Sequence, residues 1–279
     1  MKKLDILKNT LTQHAAAFRC PLCFSGLNIT GNTLACANGH CYDLSAKGRV
    51  HMAAGGREFY DGGLFAARKA AFAQGFFAPL YAAINACASN QGGLWLDAGC
   101  GEGSGLRSAG AHADLRVGID LSKEGIRLAS AGDSDGFVWV VGDLANLPLA
   151  DDSVNVILNV LSPANYAEFD RVRKPDGVLI KVIPGAHYLQ ELRRAFFKGS
   201  AKERHSAYPT AEAFQAVYPN ARITPVTYTV EAAPGLLRPL LAMTPLLQNV
   251  AEAEKQAFAE SGIRTVTADY LILVSGEAQ

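Results

Sequence analysis

The chain has 279 residues, of which 49% are hydrophobic and 19% charged, with 26 basic and 26 acidic residues. This composition is typical of an ordinary soluble globular protein, and the length allows one sizeable domain plus a small one. The N-terminus lacks the apolar core of a signal peptide, and no stretch reaches transmembrane length without polar interruption. We therefore expect a cytoplasmic protein with no membrane contact.

The charges are unevenly distributed along the chain. Residues 1–70 hold nine basic against four acidic residues, and residues 165–205 hold nine against five, whereas the remaining segments are net acidic. Two basic segments on an otherwise acidic protein could form a local surface for phosphates. Solvated faces of ordinary proteins show similar fluctuations, so both interpretations stay open.

The first motif is Cys20-Pro21-Leu22-Cys23, followed by Cys36 and His40. Three thiolates and an imidazole at this spacing predict a closed, structural zinc site. Turn-forming residues at 24–35 suit a short ribbon whose folding depends on the metal. A disulfide pair or a chance spacing are the alternatives, and Cys41 could replace His40 as the fourth ligand.

Two other cysteines are interpreted differently. Cys87 lies in an alanine-rich apolar stretch and Cys100 in a glycine-rich loop, so both are expected to be small buried side chains. We place the N-terminal segment and zinc-binding domain at 1–52, a linker and the start of a helix at 53–76, and a second domain at 77–279. Four glycines within 53–63 make that stretch the expected hinge.

The second motif follows an apolar strand that ends in Asp97. Gly99, Gly101 and Gly103 form a loop in which the backbone can turn sharply and approach a ligand closely. Their spacing does not fit the dinucleotide fingerprint, which needs a glycine at the sixth position. It resembles the first motif of Rossmann-like methyltransferases that use S-adenosylmethionine (SAM). That resemblance implies that Asp97 and the three glycines bind the cofactor.

The following strands agree with a SAM site. The strand at 115–120 ends in Asp120, where a carboxylate can accept hydrogen bonds from both ribose hydroxyls. The strand at 137–141 leads into Gly142, Asp143 and Leu144, the position at which methyltransferases of this type usually contact the adenine. Asn159, at the end of the next strand, is a further candidate cofactor contact.

Further strands are expected at 154–159, 178–183, 222–231 and 267–275, with a helical stretch at 235–260. The expected architecture is therefore α/β. It is a Rossmann-like, seven-stranded class I SAM methyltransferase fold with a small N-terminal zinc-ribbon domain. In such enzymes the last strand is antiparallel.

Several stretches together resemble one family, the bacterial 23S ribosomal RNA (guanine-N1)-methyltransferases. The stretches that carry the resemblance are 18–23 and 36–44 in the zinc module, 67–80 in the helix before the second domain, 184–192 after the fifth strand, and Met243-Thr244-Pro245. The resemblance spans most of the chain and favours His40 over Cys41 as the fourth zinc ligand.

The resemblance implies that the protein transfers a methyl group from SAM to N1 of a guanine in a hairpin of 23S rRNA. The zinc module would assist RNA recognition, and the enzyme would form a homodimer. Guanine N1 carries a proton that must leave, so polar residues are expected beside the base. Asn159, His187 and Glu191 are the candidate catalytic residues, and Ser162 is a further candidate for the base pocket.

Two other functions remain possible from the residues. The stretch at 147–153 also occurs in enzymes that methylate quinones and similar metabolites, which suggests a small-molecule methyltransferase. A binding module whose methyltransferase fold has lost activity is the other alternative. The zinc motif counts against the former, and the intact glycine loop with Asp120 counts against the latter.

Overall fold

The computed structural model describes residues 1–53, 62–88, 91–132 and 135–276. A small three-stranded sheet carries the predicted metal ligands, and an eight-stranded sheet carries the predicted cofactor loop. Most of the predicted hinge, residues 54–61, lies outside the described residues. Among the described helices, none is both long and apolar enough to cross a membrane.

The N-terminal module begins with helix α1, whose Leu7 and Leu11 are buried. A 3-10 helix (Ala15–Ala17) leads into an antiparallel ribbon. Its first hairpin turns at Gly31-Asn32, where Gly31 has a φ of 63°, as a two-residue hairpin requires. The elements of the module are α1 (Lys3–Gln13), β1 (Leu27–Thr30), β2 (Thr33–Cys36), β3 (Cys41–Asp43) and β4 (Arg49–His51).

The second part alternates strands and helices. Its helices are α2 (Gly62–Ala73), α3 (Ala78–Cys87), α4 (Ser104–Ser108), α5 (Lys123–Ala129), α6 (Tyr166–Val172), α7 (Gln190–Phe197), α8 (Tyr208–Val217), α9 (Pro234–Met243) and α10 (Glu252–Ala259). Its strands are β5 (Leu94–Ala98), β6 (Leu115–Asp120), β7 (Phe137–Val141), β8 (Val154–Val160), β9 (Arg173–Pro184), β10 (Arg222–Glu231) and β11 (Thr265–Ser275).

The strand order across the large sheet is β10-β11-β9-β8-β5-β6-β7-β4. Strands β4 to β9 run parallel to one another, and β11 runs antiparallel to its two neighbours, β9 and β10. All seven predicted strands are present. The eighth, β4, comes from the N-terminal module and extends the sheet beyond β7. The order reverses at β5, so a crevice for a ligand is expected at the carboxyl ends of β5 and β8.

The predicted helical stretch at 235–260 consists of two helices and a 3-10 turn (Pro245–Leu247). The break falls at Thr244, which has an extended conformation (φ −87°, ψ 110°). The residue before a proline is disfavoured in the helical region, and Pro245 itself has no N–H to continue the helix. This break brings residues 243–246 to the rim of the crevice described below.

One hydrophobic core runs through both parts of the chain. Leu11 and Phe18 of the N-terminal module pack in the same cluster as Leu96, Val138 and Phe169 around the large sheet. Residues on both sides of the predicted boundary at residue 52 therefore belong to the same core. The zinc-binding segment is fixed against the sheet by buried apolar contact and by the pairing of β4.

Candidate active site and metal centre

The predicted zinc ligands converge at the tip of the N-terminal ribbon. The ligand atoms of Cys20, Cys23, Cys36 and His40 all lie within 4.8 Å of one another. The Cys23 and Cys36 sulfurs are 3.6 Å apart, and His40 Nδ1 lies 3.5 Å from Cys20 Sγ and 3.4 Å from Cys36 Sγ. Tetrahedral zinc with ligands at about 2.0–2.3 Å separates neighbouring ligands by roughly 3.5–3.8 Å. The four side chains fit that ion.

Neighbouring groups support the thiolates. The Tyr42 hydroxyl lies 3.1 Å from Cys20 Sγ, and the Ser25 hydroxyl lies 3.2 Å from Cys23 Sγ. Hydrogen bonds from Ser25 lower the pKa of Cys23 to about 5, so this thiol is ionised at neutral pH, as metal binding needs. Cys41 is exposed, and its sulfur lies 3.5 Å from the Gly39 carbonyl, outside the cluster. His40 is thus the fourth member of the group.

The chain turns sharply between β5 and α4. Gly99 and Gly101 have φ values of 87° and 54°, which favour glycine. A Cβ at Gly99 would overlap the Ser162 hydroxyl, and a Cβ at Gly101 would stand 3.0 Å from the Phe65 ring. Both glycines line a cavity at the carboxyl end of the sheet. The loop therefore needs glycine for its conformation and for the space beside it.

Asp120 fixes this loop to the end of β6. One carboxylate oxygen accepts from the Gly101 backbone N–H at 2.8 Å, and the other accepts from the Ser122 N–H, also at 2.8 Å. Burial raises the pKa of Asp120, and the two backbone donors counteract that shift. The carboxylate also lines the cavity, where its remaining lone pairs can accept from ribose hydroxyls.

The predicted adenine contacts lie directly after β7. Asp143 and Leu144 line the cavity, while Gly142 packs between Ile119 and Pro148 at the strand end. Asp143 Oδ1 accepts from the Ala145 N–H at 2.8 Å, which makes a tight turn of this segment. A half-buried Leu144 offers an apolar face to a planar ring.

Two predicted cofactor residues lie behind the glycine loop. Gly103 has a φ of 77°, and a Cβ there would press on the Trp139 ring, so this glycine faces the core. Asp97 is 3% exposed and does not line the cavity. Its carboxylate and the Tyr81 hydroxyl both lie beside Gly105. Burial raises the pKa of Asp97 to about 7, against the opposing effect of nearby Arg68.

Arg68, Tyr81, Asp97 and Glu102 form a buried polar cluster next to the loop. Arg68 Nε lies 3.7 Å from a Glu102 oxygen, an ion pair but too long for a good hydrogen bond. In the described part of the chain, Arg68 Nε, the Tyr81 hydroxyl and both Glu102 oxygens have no hydrogen-bond partner. Buried polar groups in this state need a partner such as water or a ligand. The ammonium and carboxylate of the methionine part of SAM have the donors and acceptors that fit them.

The cavity has a volume of about 1020 Å³, and Arg68 also lines it. Pockets for a single ligand of drug size measure about 300–1,000 Å³, so there is room for a second group beside a cofactor. Besides the glycine loop, the lining includes a group of mostly apolar and aromatic residues. They are Tyr166, Pro184, Tyr188, Arg193 and residues 243–246.

Two protein-family models match the chain. One, described as "RlmA, N-terminal", matches residues 18–53, and the other, "Methyltransferase domain", matches residues 96–181. YxjB of Bacillus subtilis (strain 168), named as a candidate 23S rRNA (guanine-N(1)-)-methyltransferase, is 36% identical over 271 residues. The alignment covers 92% of this chain and 96% of YxjB. The chain belongs to the 23S rRNA (guanine-N1)-methyltransferase family.

Other relatives agree with that assignment. A 23S rRNA (guanine(748)-N(1))-methyltransferase of Streptomyces fradiae is 30% identical over 183 residues, which are 62% of this chain and 65% of that protein. A solved methyltransferase from Anabaena variabilis has a TM-score of 0.51 at 13% identity, covering 71% of this chain and 96% of its own. That likeness shows the fold alone. The cofactors of this methyltransferase are SAM and one structural zinc.

The three candidate catalytic residues of this methyltransferase lie outside the cavity lining. Asn159 is fully buried. Its amide donates to the Ala98 and Pro163 carbonyls, both at 2.9 Å, and accepts from Lys181 Nζ at 2.6 Å. Every polar atom of this side chain thus has a protein partner. Asn159 therefore supports the loop that lines the cavity, and its role towards a base or SAM stays a prediction.

His187 and Glu191 are also placed away from the cavity. His187 is exposed, and its backbone N–H donates to Asp269. The Glu191 carboxylate accepts from the Thr267 N–H at 2.9 Å and from the Thr267 hydroxyl at 2.6 Å. This carboxylate ties α7 to β11. Neither residue is among those that line the cavity, so their proton-accepting role stays a prediction, whereas the pocket candidate Ser162 does line the cavity.

The cavity lining includes residues to which the sequence analysis assigned no role, among them Arg68, Tyr166, Tyr188 and Arg193. Arg68 and Tyr188 fall within stretches that carried the family resemblance, and that was the available signal. Arg193 follows Glu191 by two positions, on another side of α7. Only the packing of α7 against β11 shows which side faces the cavity. Cys87 and Cys100 are buried, as expected.

Proposed function

We propose that this enzyme transfers the methyl group of SAM to N1 of a guanine in a hairpin of 23S rRNA. The observation that carries the proposal is one cavity lined both by the cofactor loop and by a group of aromatic and apolar residues, which we call the aromatic chamber, in a chain 36% identical to YxjB over 92% of its length. Because ribosomal RNA is made and assembled in the cytoplasm, we place the enzyme there.

The SAM site that we propose has residues for the ribose, the adenine and the methionine part of the cofactor. Asp120 accepts from the ribose hydroxyls, and Asp143 and Leu144 contact the adenine. Arg68 receives the methionine carboxylate, while Glu102 and Asp97 attract its ammonium. These assignments are supported by the buried polar atoms without partners at the methionine end and by the free lone pairs of Asp120 at the other.

The aromatic chamber is the proposed guanine site. A base in a hairpin exposes its Watson–Crick edge only when it is unpaired or flipped outward, and a flipped base is held by stacking and polar contacts. Tyr166 and Tyr188 supply aromatic surface, and residues 243–246 supply an apolar wall. Arg193 is a charged residue of this chamber. Its Nε donates to the Tyr188 carbonyl at 3.3 Å and its Nη1 to the Lys202 carbonyl at 3.0 Å.

Arg193 can assist the loss of the N1 proton. No carboxylate among the described residues lies within ion-pair distance of its guanidinium, so the positive charge is not neutralised locally. When N1 loses its proton, negative charge develops on guanine O6. A nearby guanidinium stabilises that charge, which lowers the pKa of N1. SAM would supply the methyl group: the bond from N1 to the methyl carbon would form as the carbon–sulfur bond breaks, giving S-adenosylhomocysteine (SAH), and the N1 proton would pass to water.

The basic segments contribute unequally to the RNA surface that we propose. In 165–205, Arg171 and Arg173 are held in ion pairs, and Lys181 is buried against Asn159. The exposed positive charges are concentrated at the end of that segment. They are Arg194, Lys198, Lys202 and Arg204, which follow the chamber residue Arg193 along the chain.

In the N-terminal segment several basic groups are used internally. Lys3 Nζ donates to three carbonyls after α5, and Arg49 donates to the Ser130 hydroxyl. Lys47 and Lys69 are exposed and remain available for phosphates. The zinc module would therefore contribute a smaller share of charge to RNA binding than its composition suggests. The homodimer implied by the family resemblance stays a prediction, which sedimentation at several concentrations tests.

The test is a methylation assay with tritiated SAM. Its substrates are 23S rRNA lacking the modification, short hairpin transcripts from it, and a metabolite extract as the alternative. We expect label in the RNA and a reverse-transcription stop at one guanine, since a methyl on N1 blocks pairing. Replacing that guanine by inosine should keep activity, because N1 and O6 remain, whereas adenine should abolish it. Label in metabolites alone would contradict the proposal.

A further inference from the structure

The N-terminal module holds the segment of the chain that contacts the adenine. At one end of this segment, β4 pairs with β7, and the Met52 and Ala53 N–H groups both donate to the Val141 carbonyl, at 2.8 and 3.0 Å. Val141 is the last residue before Gly142. The start of the segment 142–150 is therefore attached to the module.

The zinc knuckle holds the other part of the segment. Asn146 Nδ2 donates to the Pro21 carbonyl at 2.6 Å. Further along, the Arg19 N–H donates to Pro148 and the Ala150 N–H donates to Ala17, at 3.3 and 2.9 Å. The cavity-lining residues at 143–145 thus lie between two attachments to the same module.

Pro21 is placed by the metal site. It lies between the ligands Cys20 and Cys23, in a turn closed by the Phe24 N–H donating to the Cys20 carbonyl at 2.8 Å. A ribbon of this size has little core of its own, so zinc supplies much of the free energy that orders it. With zinc bound, the direction of the Pro21 carbonyl is set. Without zinc, the turn around Pro21 loses this restraint, while the apolar contacts and the pairing of β4 still hold the rest of the module against the sheet.

Contacts outside the module also hold the ends of the segment that contacts the adenine: the Gly142 N–H donates to the Asp120 carbonyl at 3.0 Å, and the Leu147 N–H donates to Glu168 at 2.8 Å. The turn between them has few further contacts besides the packing of Leu144 against the core.

The Ala145 and Asn146 N–H groups both bond back to Asp143, which shapes the turn but does not attach it to the sheet. Asp143 and Ala145 are exposed. If this turn is mobile before binding, the cofactor must order it, and the conformational entropy lost in doing so lowers the affinity.

We propose that the zinc knuckle braces the cofactor site: zinc fixes Pro21, Pro21 holds Asn146, and Asn146 holds the turn that receives the adenine. Asn146 is a positioning residue in this scheme. The inference rests on the proposed placement of the adenosine at Asp120 and Asp143. It gives zinc a role in SAM binding in addition to its expected role in RNA recognition.

The first test measures SAH affinity by calorimetry in the wild type and in Asn146→Asp. The substitution keeps the size of the side chain but replaces the N–H donor by an oxygen facing the Pro21 carbonyl. Affinity should fall about three- to tenfold, the effect of one lost hydrogen bond and an unfavourable contact. Zinc content and melting temperature are measured alongside. A variant that keeps its zinc and binds SAH within twofold of wild type would overturn the proposal.

Two controls separate the possible causes. Ser153→Ala removes a hydrogen bond of 2.7 Å from the Ser153 hydroxyl to the Ala150 carbonyl, near the end of the same segment. This bond does not involve the zinc module, so SAH affinity should not change. Asp120→Ala reports on the placement of the adenosine. If it binds SAH like the wild type, the proposed cofactor site fails. If it weakens binding while Asn146→Asp does not, only the brace fails.

The second test removes zinc with a chelator and repeats the calorimetry on both proteins. Zinc removal should weaken SAH binding by the wild type at least as much as Asn146→Asp does. In the Asn146→Asp background it should add little, because the two changes break the same chain of contacts. Equal, additive losses in both backgrounds would show that zinc and Asn146 act independently and would contradict the brace.

Discussion

Asp120→Ala tests the centre of the proposed cofactor site. In the apo protein this carboxylate accepts two backbone N–H groups at 2.8 Å, from Gly101 and Ser122, and it is already mostly removed from water. SAM therefore meets an acceptor that is held in place before binding. The substitution removes the acceptor for the ribose and also frees the glycine loop.

The expected loss follows from hydrogen bonds to a charged group. Such bonds contribute about 1.5–3 kcal/mol, so SAH affinity should fall roughly 10- to 150-fold. Folding stability should change less. The variant leaves two amides without their acceptor, but it also relieves the burial of a carboxylate whose pKa is raised by desolvation. Asp120→Asn keeps an oxygen acceptor and loses the charge, so its loss of affinity should be intermediate.

Calorimetry with SAH, together with thermal unfolding, distinguishes the two effects. The matched control is Asp114→Ala at the opposite end of β6, where a carboxylate oxygen likewise accepts a backbone N–H, from Gly93 at 3.0 Å. That variant should bind SAH normally. If Asp120→Ala binds SAH within twofold of wild type while remaining folded, the ribose does not sit at Asp120 and the cofactor site must be moved.

Four further predictions concern the cavity, its rim and the buried Asp97. Arg193→Gln should lower the single-turnover methylation rate about 10- to 100-fold and shift the pH–rate profile to higher pH, because the guanidinium no longer stabilises the deprotonated guanine. If the variant loses RNA affinity alone and keeps the profile of the wild type, Arg193 contacts a phosphate instead. Changing Lys198, Lys202 and Arg204 to Gln should weaken RNA binding and leave SAH affinity unchanged. The salt dependence of RNA affinity should flatten by up to about one unit of slope per lost phosphate contact. An unchanged slope would show that these three residues do not contact the RNA. The pKa of about 7 at Asp97 exceeds the roughly 3.9 of an unfolded chain, so the folded apo protein binds the extra proton and its stability should fall as pH rises between about 4 and 7. The ammonium of SAH beside Asp97 favours the ionised form of this side chain, so SAH binding near pH 6 should release up to one proton. Calorimetry in buffers of different ionisation heat detects that release. If no proton is released, Asp97 does not lie beside the cofactor.

Much of the architecture could be predicted from short stretches of sequence. Cys20 and Cys23 share a tight turn, and Cys36 and His40 share another, so spacing alone brings each pair to one side of an ion. The glycine loop likewise depends on local backbone freedom. Alternating strands and helices then predict a parallel sheet, since such strands need long crossover connections.

Residues whose role depends on distant neighbours could not be predicted in this way. Asn159 ends a strand at the expected edge, but its amide is satisfied by Lys181 on β9 and by two carbonyls. His187 and Glu191 lie four positions apart, as expected for one helix face, but Leu189 begins α7 in the left-handed region and Glu191 turns to β11. Spacing along the chain does not show which side of an element is buried.

The sequence by itself determined the two ligand pairs, the sharp glycine loop and the succession of strands and helices along the chain, because each depends on neighbours along the chain. Tertiary structure decided that β4 joins the large sheet, that the zinc knuckle reaches Asn146, and that Arg68 and Arg193 share one cavity. These pairs of residues lie 90 to 125 positions apart along the chain. Only the packing of complete elements decides whether a polar side chain at such a place finds a protein partner or is left for a ligand.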